Sequence, residues 1–406
     1  MKNTKKTGKT TRGKTLQNHL KAGLKTLRSH KKILFIVAGI LVAAFAAVIL
    51  FSILTRPKIP VIAFYHVPKN VTEAISTWSK NPELTGTTQF SILELDDALP
   101  LGPQLNKHKK GISLLFAPSG QATAATANSA ASPPERIRRL LPTAVRNVGT
   151  SGRTVYALPV LMDHFEFAYN KAILSKAGVD EPKTITEMIE VANKVKSRRV
   201  WPFIVAGSQD DDLVLLVGTL MHAKYGLEAY QKLVAGMRSK TPFEELLEYT
   251  ELDSVLETLL TWRRSRLLHP QWLEMTHEDI ESFIRFDSAA MLFMRLSTRR
   301  ELDEKIAEKY EAAIFPNEVT ASSYPLTAPV YVGVRLRNEL FGDAAEAFLN
   351  NLVSEKVQTE LSKDTGLVPV NSKAPVQDRQ AYDVRYWAAS SRLLVPDLVT
   401  AAIDDP

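Results

Sequence analysis

The 406-residue sequence predicts an α/β protein preceded by one membrane-crossing helix. Three observations carry that expectation. An uncharged apolar run of 22 residues, Ile33 to Leu54, follows a strongly basic start. Beyond it, short β-type runs alternate with amphipathic helical patterns, as in parallel strands covered by helices. Apolar residues at 45% and charged residues at 23% are the proportions of a chain that folds.

The basic start comes first. Residues 1–32 hold nine Lys, two Arg and no acid, a charge of +11, while the rest holds 40 basic and 44 acidic residues, a charge of −4. The excess of base therefore belongs to a tail and not to the folded body. As a helix the apolar run spans roughly 33 Å, against a hydrocarbon core of about 30 Å. A signal-peptide core is usually about 7–15 residues, so an uncleaved anchor over 33–55 is preferred. Cleavage after Ala44-Phe45-Ala46 is the competing reading and would leave an apolar mature end. The flanking charges put tail 1–32 in the cytoplasm and residues 57–406 in the periplasm or extracellular space. The tail reads as an orientation signal that touches anionic lipid, and no nucleic-acid partner is expected. With no Cys, disulfides and thiolate metal sites are excluded.

The elements of the body follow in order. The run from Ile59, bounded by Pro60 and Pro68, reads as a strand. Residues 70–79 read as a helix capped by Asn70, with Glu73 at the capping-box position. FSILEL (90–95) and GISLLFAP (111–118) are two further strands. Residues 119–134, nearly all Ala, Ser, Thr and Gly, fit a loop or a weak helix. Arg136–Leu141 is helical, and 152–170 is extended with a break at Pro159. Gly178 stops a helix that begins near Lys171. Thr184 caps the next, with Glu187 three residues on and Ile185, Met188, Ile189, Ala192 and Val195 on one face. WPFIVAG (201–207) is a strand. Residues 213–310 are mostly helical in pattern. YEAAIFP (310–316) and APVYVGVRL (328–336) are strands, and Gly342-Asp343 opens a long helix. TGLVPV and a helical patch around Tyr386–Arg392 end the chain.

Four stretches in this order resemble the extracellular solute-binding proteins of family 1, the group that includes maltose-binding protein. They are YALPVLMDHFEFAYNKAILSKAGVDEPKTITEM (156–188), FDSAAMLFM (286–294), the helix after Gly342 and GLVPVNSKA (366–374). The resemblance covers most of 59–400. It implies a two-lobe periplasmic-binding-protein type II fold with ligand held in a cleft, as the binding component of an ABC importer. The lobes implied are 56–160 with 316–354, and 161–315 with 355–406. The segment from Pro159 to Phe167 is then the hinge crossing.

Candidate ligand contacts follow from position. Tyr65 and His66 lie past the first strand, at the end where α/β sheets hold ligands. The resemblance puts an acidic contact at Asp163. Phe165 is a cleft ring or a core residue. Asp210, Asp211 and Asp212 precede an apolar helical run and serve its N-terminus, with Asp210 and Asp211 the candidates for a cleft contact. Arg295 binds an anionic group or pairs with an acid. Tyr331 and Trp387 offer flat rings suited to sugars, or pack in the core. No Trp follows the Ala-Met strand, unlike the sugar-binding pattern. No nucleophile elbow, zinc-binding helix motif or phosphate loop occurs, so no catalytic residue, metal or cofactor is expected. His164 and Glu166 share a strand face but are too few for a metal site. The expected function is capture of a small polar solute, a carbohydrate first, by hinge closure for an ABC permease. The alternative is an envelope scaffold or sensory module whose cleft is degenerate.

Overall fold

The computed structural model describes Val42, residues 44–46, and residues 59–402 except 109–110, 240, 319–325, 328, 338–340, 377–378 and 392. The chain divides into two compact units, Met1–Lys58 and Ile59–Pro406. In the first, Val42, Ala44, Phe45 and Ala46 are helical and exposed. The expected tail 1–32 and the rest of the expected anchor 33–55 lie outside the described residues. Among the described residues no helix is long and apolar enough to cross a membrane.

The second unit is built on two sheets. The first contains β1 (Val61–Phe64), β2 (Ser91–Glu94), β3 (Ile112–Pro118), β4 (Leu158–Met162), β9 (Val330–Arg335) and β10 (Val368–Pro369), in the order β10-β4-β9-β3-β1-β2. Strands β2, β1 and β3 are parallel, as the strand-helix-strand alternation predicts, while β9 and β4 join antiparallel. The second sheet contains β5 (Phe165–Asn170), β6 (Trp201–Val205), β7 (Ala289–Arg295) and β8 (Tyr310–Ala313), in the order β8-β5-β7-β6. Each sheet has its own core. Ile62, Leu114, Phe116, Leu158, Val332 and Phe348 centre the first. In the second, the rings of Phe203 and Trp262 lie 4.7 Å apart and those of Phe167 and Phe293 5.9 Å apart. Each such fully buried side chain contributes about 1.5–3 kcal/mol.

The chain passes from sheet to sheet at three places. Only Asp163 and His164 separate β4 from β5, so the first crossing lies within the stretch from Pro159 to Phe167. The second runs from β8 to β9. The third is Leu394–Val395, which pairs in parallel with Leu326–Thr327; Leu394 belongs to the first core and Val395 to the second.

Local signals decide several element ends. Helix α1 (Lys69–Trp78) starts one residue before the expected Asn70 cap and has no side-chain cap; the Asn70 amide donates instead to the Thr365 carbonyl at 3.0 Å. Residues from Gln121 to Asn128 form a short helix, α2 (Gln121–Ala125), and a 3-10 turn. Gly178 ends α3 (Lys171–Ala177) with φ 65, a left-handed value open to Gly. Thr184 and Glu187 form a reciprocal capping box on α4 (Ile185–Val195). The helical stretch 213–310 also contains β7, the Ala-Met strand that the resemblance of FDSAAMLFM marks and that the apolar pattern alone does not separate. A strand covered on both faces reads AAMLFM, a continuous apolar run without alternation.

The remaining helices used below are α5 (Asp210–Arg238), α6 (Thr250–Arg264), α7 (His277–Arg285), α8 (Leu296–Arg300), α9 (Gly342–Leu352), α10 (Glu355–Thr365), α11 (Arg379–Ser390) and α12 (Leu398–Ala402). The one long helix expected after Gly342 is two, α9 and α10, separated at Val353 and Ser354. The expected lobe boundary at 354/355 does not coincide with the boundary between cores. Val357, Leu361, Val368, Val384 and Ala388 pack in the first core, because Val368–Pro369 adds to the edge of the first sheet beside β4.

Candidate binding site between the two sheets

Parallel strands gather ligands beyond their carboxyl ends. In the first sheet those ends lead into Tyr65-His66 after β1 and Ser119-Gly120 after β3. Tyr65 is buried, and its hydroxyl donates to the Leu99 carbonyl at 3.1 Å. His66 has φ 51, and its backbone N–H donates to Asp97 Oδ1 at 2.6 Å. A positive φ is uncommon outside Gly, though His is among the residues that adopt it more readily, and the contact with Asp97 holds that backbone at the strand end. The Gly120 N–H donates to Thr123 Oγ1 at 3.0 Å.

In the second sheet, β6 leads through Ala206–Gln209 into α5. Gly207 lies so close to the Trp272 carbonyl oxygen that a Cβ would stand 2.4 Å from it. Asp210 and Asp211 are the first residues of α5, and their side chains lie outside the described residues. Asp212, one residue on, is buried. Its Oδ2 lies 2.7 Å from His277 Nε2, and its Oδ1 lies 3.9 Å from Arg295 Nε. Arg295 ends β7, in register with Phe165. The positive charge of Arg295 also acts on two buried carboxylates, Asp163 and Asp397.

Asp163 has no exposed surface. Its Oδ1 accepts from the N–H of His164 at 2.8 Å and of Ser297 at 3.0 Å, and its Oδ2 accepts from Ser297 Oγ at 2.5 Å. Its own N–H donates to the Pro329 carbonyl at 2.8 Å. The carboxylate therefore binds protein donors at the crossing. Phe165 lies in the second core and Tyr331 in the first, each 3% exposed. Trp387 is half-buried on α11, its ring 5.6 Å from that of His164. The structure thus brings Asp163, Phe165 and Arg295 together, puts Trp387 beside the crossing, and sets Tyr65 and His66 at the end of β1. Sequence reasoning left out Gly120, His277, Ser297 and Asp397, and weighed Asp212 only as one of three acids. Nothing in their spacing links them, because the fold sets Gly120 against Thr400, 280 positions on, and Asp163 against Ser297, 134 positions on. Among the described residues no group of His, Asp or Glu is arranged to hold a metal ion.

Burial pushes the imidazoles of His164 and His222 down to about 4. Each is kept neutral in the fold, so its contribution is full above the ordinary value of 6.5 and is lost as pH falls towards 4. That amounts to about 3 kcal/mol per histidine across the window. Burial raises the carboxyls of Asp163, Glu166 and Asp397, which act with the opposite sign. Their contribution is full below the ordinary carboxylate range and lost as pH rises through the folded value. A His222→Phe variant separates the two. Its stability relative to the wild type is expected to improve by about 3 kcal/mol between pH 7 and pH 4 in urea titrations. A difference that stays constant with pH contradicts the assignment.

Residues 104–384 match the sequence model of a family described as bacterial extracellular solute-binding protein. No curated protein sequence matches the chain. Among solved structures, the bacterial solute receptor AcbH, described with an exclusive preference for β-D-galactopyranose, aligns with TM-score 0.67 at 13% identity, covering 84% of this chain and 88% of that one. A probable secreted solute-binding lipoprotein from Streptomyces coelicolor aligns with TM-score 0.65 at 15% identity, covering 85% and 90%. A sugar transporter from Bacillus licheniformis in complex with stachyose aligns with TM-score 0.59 at 11% identity, covering 84% and 90%. At these identities the likeness is one of fold.

Proposed function

The chain belongs to the bacterial extracellular solute-binding protein family, and on that premise we propose that it captures a small sugar between its two sheets and delivers it to an ABC permease. The observation that carries this reading is the meeting of the carboxyl ends of β4 and β7, one from each sheet, where Asp163 and His164 bond to Ser297 and Leu296 at the first chain crossing. Crossings of that kind allow two lobes to rotate about a ligand. Solute stabilises the closed form by its differential affinity for the two forms. The reading involves no chemical transformation. The solutes named for the structural neighbours supply the sugar class.

The apolar run Ile33 to Leu54 and the basic residues before it support a single-pass anchor, with the body outside the cytoplasm. The test is thermal unfolding of the full chain in detergent with D-galactose, stachyose and a wider panel of mono- and oligosaccharides. A sugar at about 100 times its Kd adds about 2.7 kcal/mol. No shift with any sugar overturns the reading. A scaffold or sensory role is favoured in that event by the close approach of Gly120 to Thr400, which leaves no room for a side chain at the carboxyl end of β3.

A further inference from the structure

The second sheet has two ends, and the candidate binding site uses one. Phe165, Val205 and Arg295 lie at the crossing end. At the far end β5 stops at Asn170, and β6, β7 and β8 begin at Trp201, Ala289 and Tyr310. A strand of seven residues such as β7 spans about 20 Å, so the two ends are well separated.

The far end is rich in base. Lys176 is on α3, Lys194 is in the last turn of α4, and Lys196, Arg198 and Arg199 lie between α4 and β6; all five are exposed. Lys196 Nζ donates to the Ser265 carbonyl at 3.2 Å, which brings Arg266 alongside, its guanidinium 5.4 Å from the centre of the Trp201 ring. Two acids at this end are already paired, Asp287 with Lys309 at 3.0 Å and Glu311 with Lys171 at 2.9 Å, and Glu308 is exposed beside them. A cavity of about 800 Å³ opens there, lined by Lys171, Lys176, Lys194 and Lys309, by Asp287 and Glu308, and by Val195 and Val200. Beyond the tail the chain holds 40 basic and 44 acidic residues, so this positive end is a segregation of charge and not a property of the whole body.

An aromatic ring stands out at the same end. Phe286 is 74% exposed. It follows α7 on a turn where Asp287 has φ 51, and Lys309 Nζ holds that turn by donating to the Arg285 carbonyl at 3.1 Å and to Asp287 Oδ1 at 3.0 Å. The Trp201 N–H donates to the Ser288 carbonyl at 2.8 Å, which ties the turn to the start of β6. A lone exposed ring is ordinary on a protein surface. A ring on a fixed turn among cations combines the two groups that a lipid interface takes up, charge at the phosphates and an apolar face at the acyl boundary. A soluble phosphate would use the cations and leave the ring idle.

We propose that this far end of the second sheet docks on an anionic bilayer surface, with Lys176, Lys194, Arg198 and Arg199 at the lipid phosphates and Phe286 at the acyl boundary. The docking rests on the single-pass anchor reading, which keeps a bilayer within reach, and not on the sugar reading. It leaves the crossing end, with Asp163 and Arg295, on the side of the sheet away from the lipid.

The test compares the full chain in nanodiscs of phosphatidylcholine with the same chain in discs of equal parts phosphatidylcholine and phosphatidylglycerol. Co-elution with the neutral discs reads the anchor on its own. Amide hydrogen exchange over 194–201 and 284–289 reads the docking. Anionic lipid is expected to slow exchange there about tenfold, and raised salt to reverse the slowing. Arg198→Glu/Arg199→Glu is expected to abolish it and Phe286→Ser to weaken it, with exchange elsewhere in the body unchanged. Equal exchange in the two kinds of disc overturns the docking, whatever the co-elution shows. Slowing that survives both variants overturns this face as the contact. Equal slowing by soluble polyphosphate in neutral discs assigns the cations to anionic polymers and overturns the bilayer. If the chain does not co-elute with neutral discs, the anchor reading falls, and exchange with added phosphatidylglycerol vesicles decides the docking by the same criteria.

Discussion

Replacing Arg299 by Met is expected to lower stability by about 3–5 kcal/mol at pH 7, as measured by guanidinium titration. Arg299 Nη1 lies 3.1 Å from Glu166 Oε2, and both side chains are buried. The guanidinium also donates to the carbonyls of Ala307 and Tyr310. Glu166 stands on β5 opposite Met294, inside the second sheet. Burial raises its carboxyl, and Arg299 and Arg300 act against that rise. Without Arg299, Glu166 is left with less compensation, and its protonation becomes the cheaper state. The deficit of the variant is therefore expected to shrink as pH falls from 7 to 5. Changing both residues to Met is expected to restore most of the loss, because an apolar pair of similar volume carries no desolvation penalty. A single-variant deficit under about 1 kcal/mol is the value for an exposed pair and contradicts the burial.

The elements most legible in the sequence were those with local signatures. The capping box at Thr184 and Glu187 and the glycine stop at Gly178 depend on neighbours within a turn, and the structure has both. The parallel strands β1, β2 and β3 were legible from alternation with helices. Elements whose identity depends on distant partners were not. Strand β7 is a continuous apolar run up to Arg295, so periodicity does not mark it, and only the resemblance of FDSAAMLFM to the family's Ala-Met strand identified it. The break at Ser354 separates α9 from α10 within a stretch whose apolar face looks continuous. Gly226 divides α5 with φ 80, and nothing in the surrounding apolar spacing marks it.

The candidate site was less legible than the fold for the same reason. Asp163 was identifiable by its position after Pro159, but its three donors come from His164 and from Ser297, which is 134 residues away. Arg295 was a candidate for pairing with an acid, yet the sequence offered no means of choosing Asp212 among the three consecutive acids. Gly120 lay in a stretch too low in complexity to read. Its role follows from a backbone approach to Thr400, which only the folded chain reveals.

The strongest test of the crossing is Asp163 itself. Its backbone N–H reaches Pro329, just before β9, and its carboxylate reaches Ser297 on α8. Leu296 N–H meets the His164 carbonyl at 2.7 Å beside it. One residue thus ties the first crossing to the start of β9 and to the exit of β7. Asp163→Ala leaves the buried Ser297 N–H, Ser297 hydroxyl and His164 N–H short of acceptors, each worth about 1–3 kcal/mol when unmet. The loss expected is about 3 kcal/mol or more, and calorimetry is expected to resolve two transitions where the wild type shows one, since the pin between two cores is gone. Asp163→Asn keeps one acceptor and carries no charge. Burial raises the carboxyl of Asp163, so its charge weighs against folding at neutral pH and is relieved as pH falls. The Asn variant is therefore expected to lie closer to wild type than the Ala variant at pH 7, and to lose that part of the pH dependence. If Ala and Asn are equally mild and melting stays a single transition, the two cores are joined by something other than Asp163.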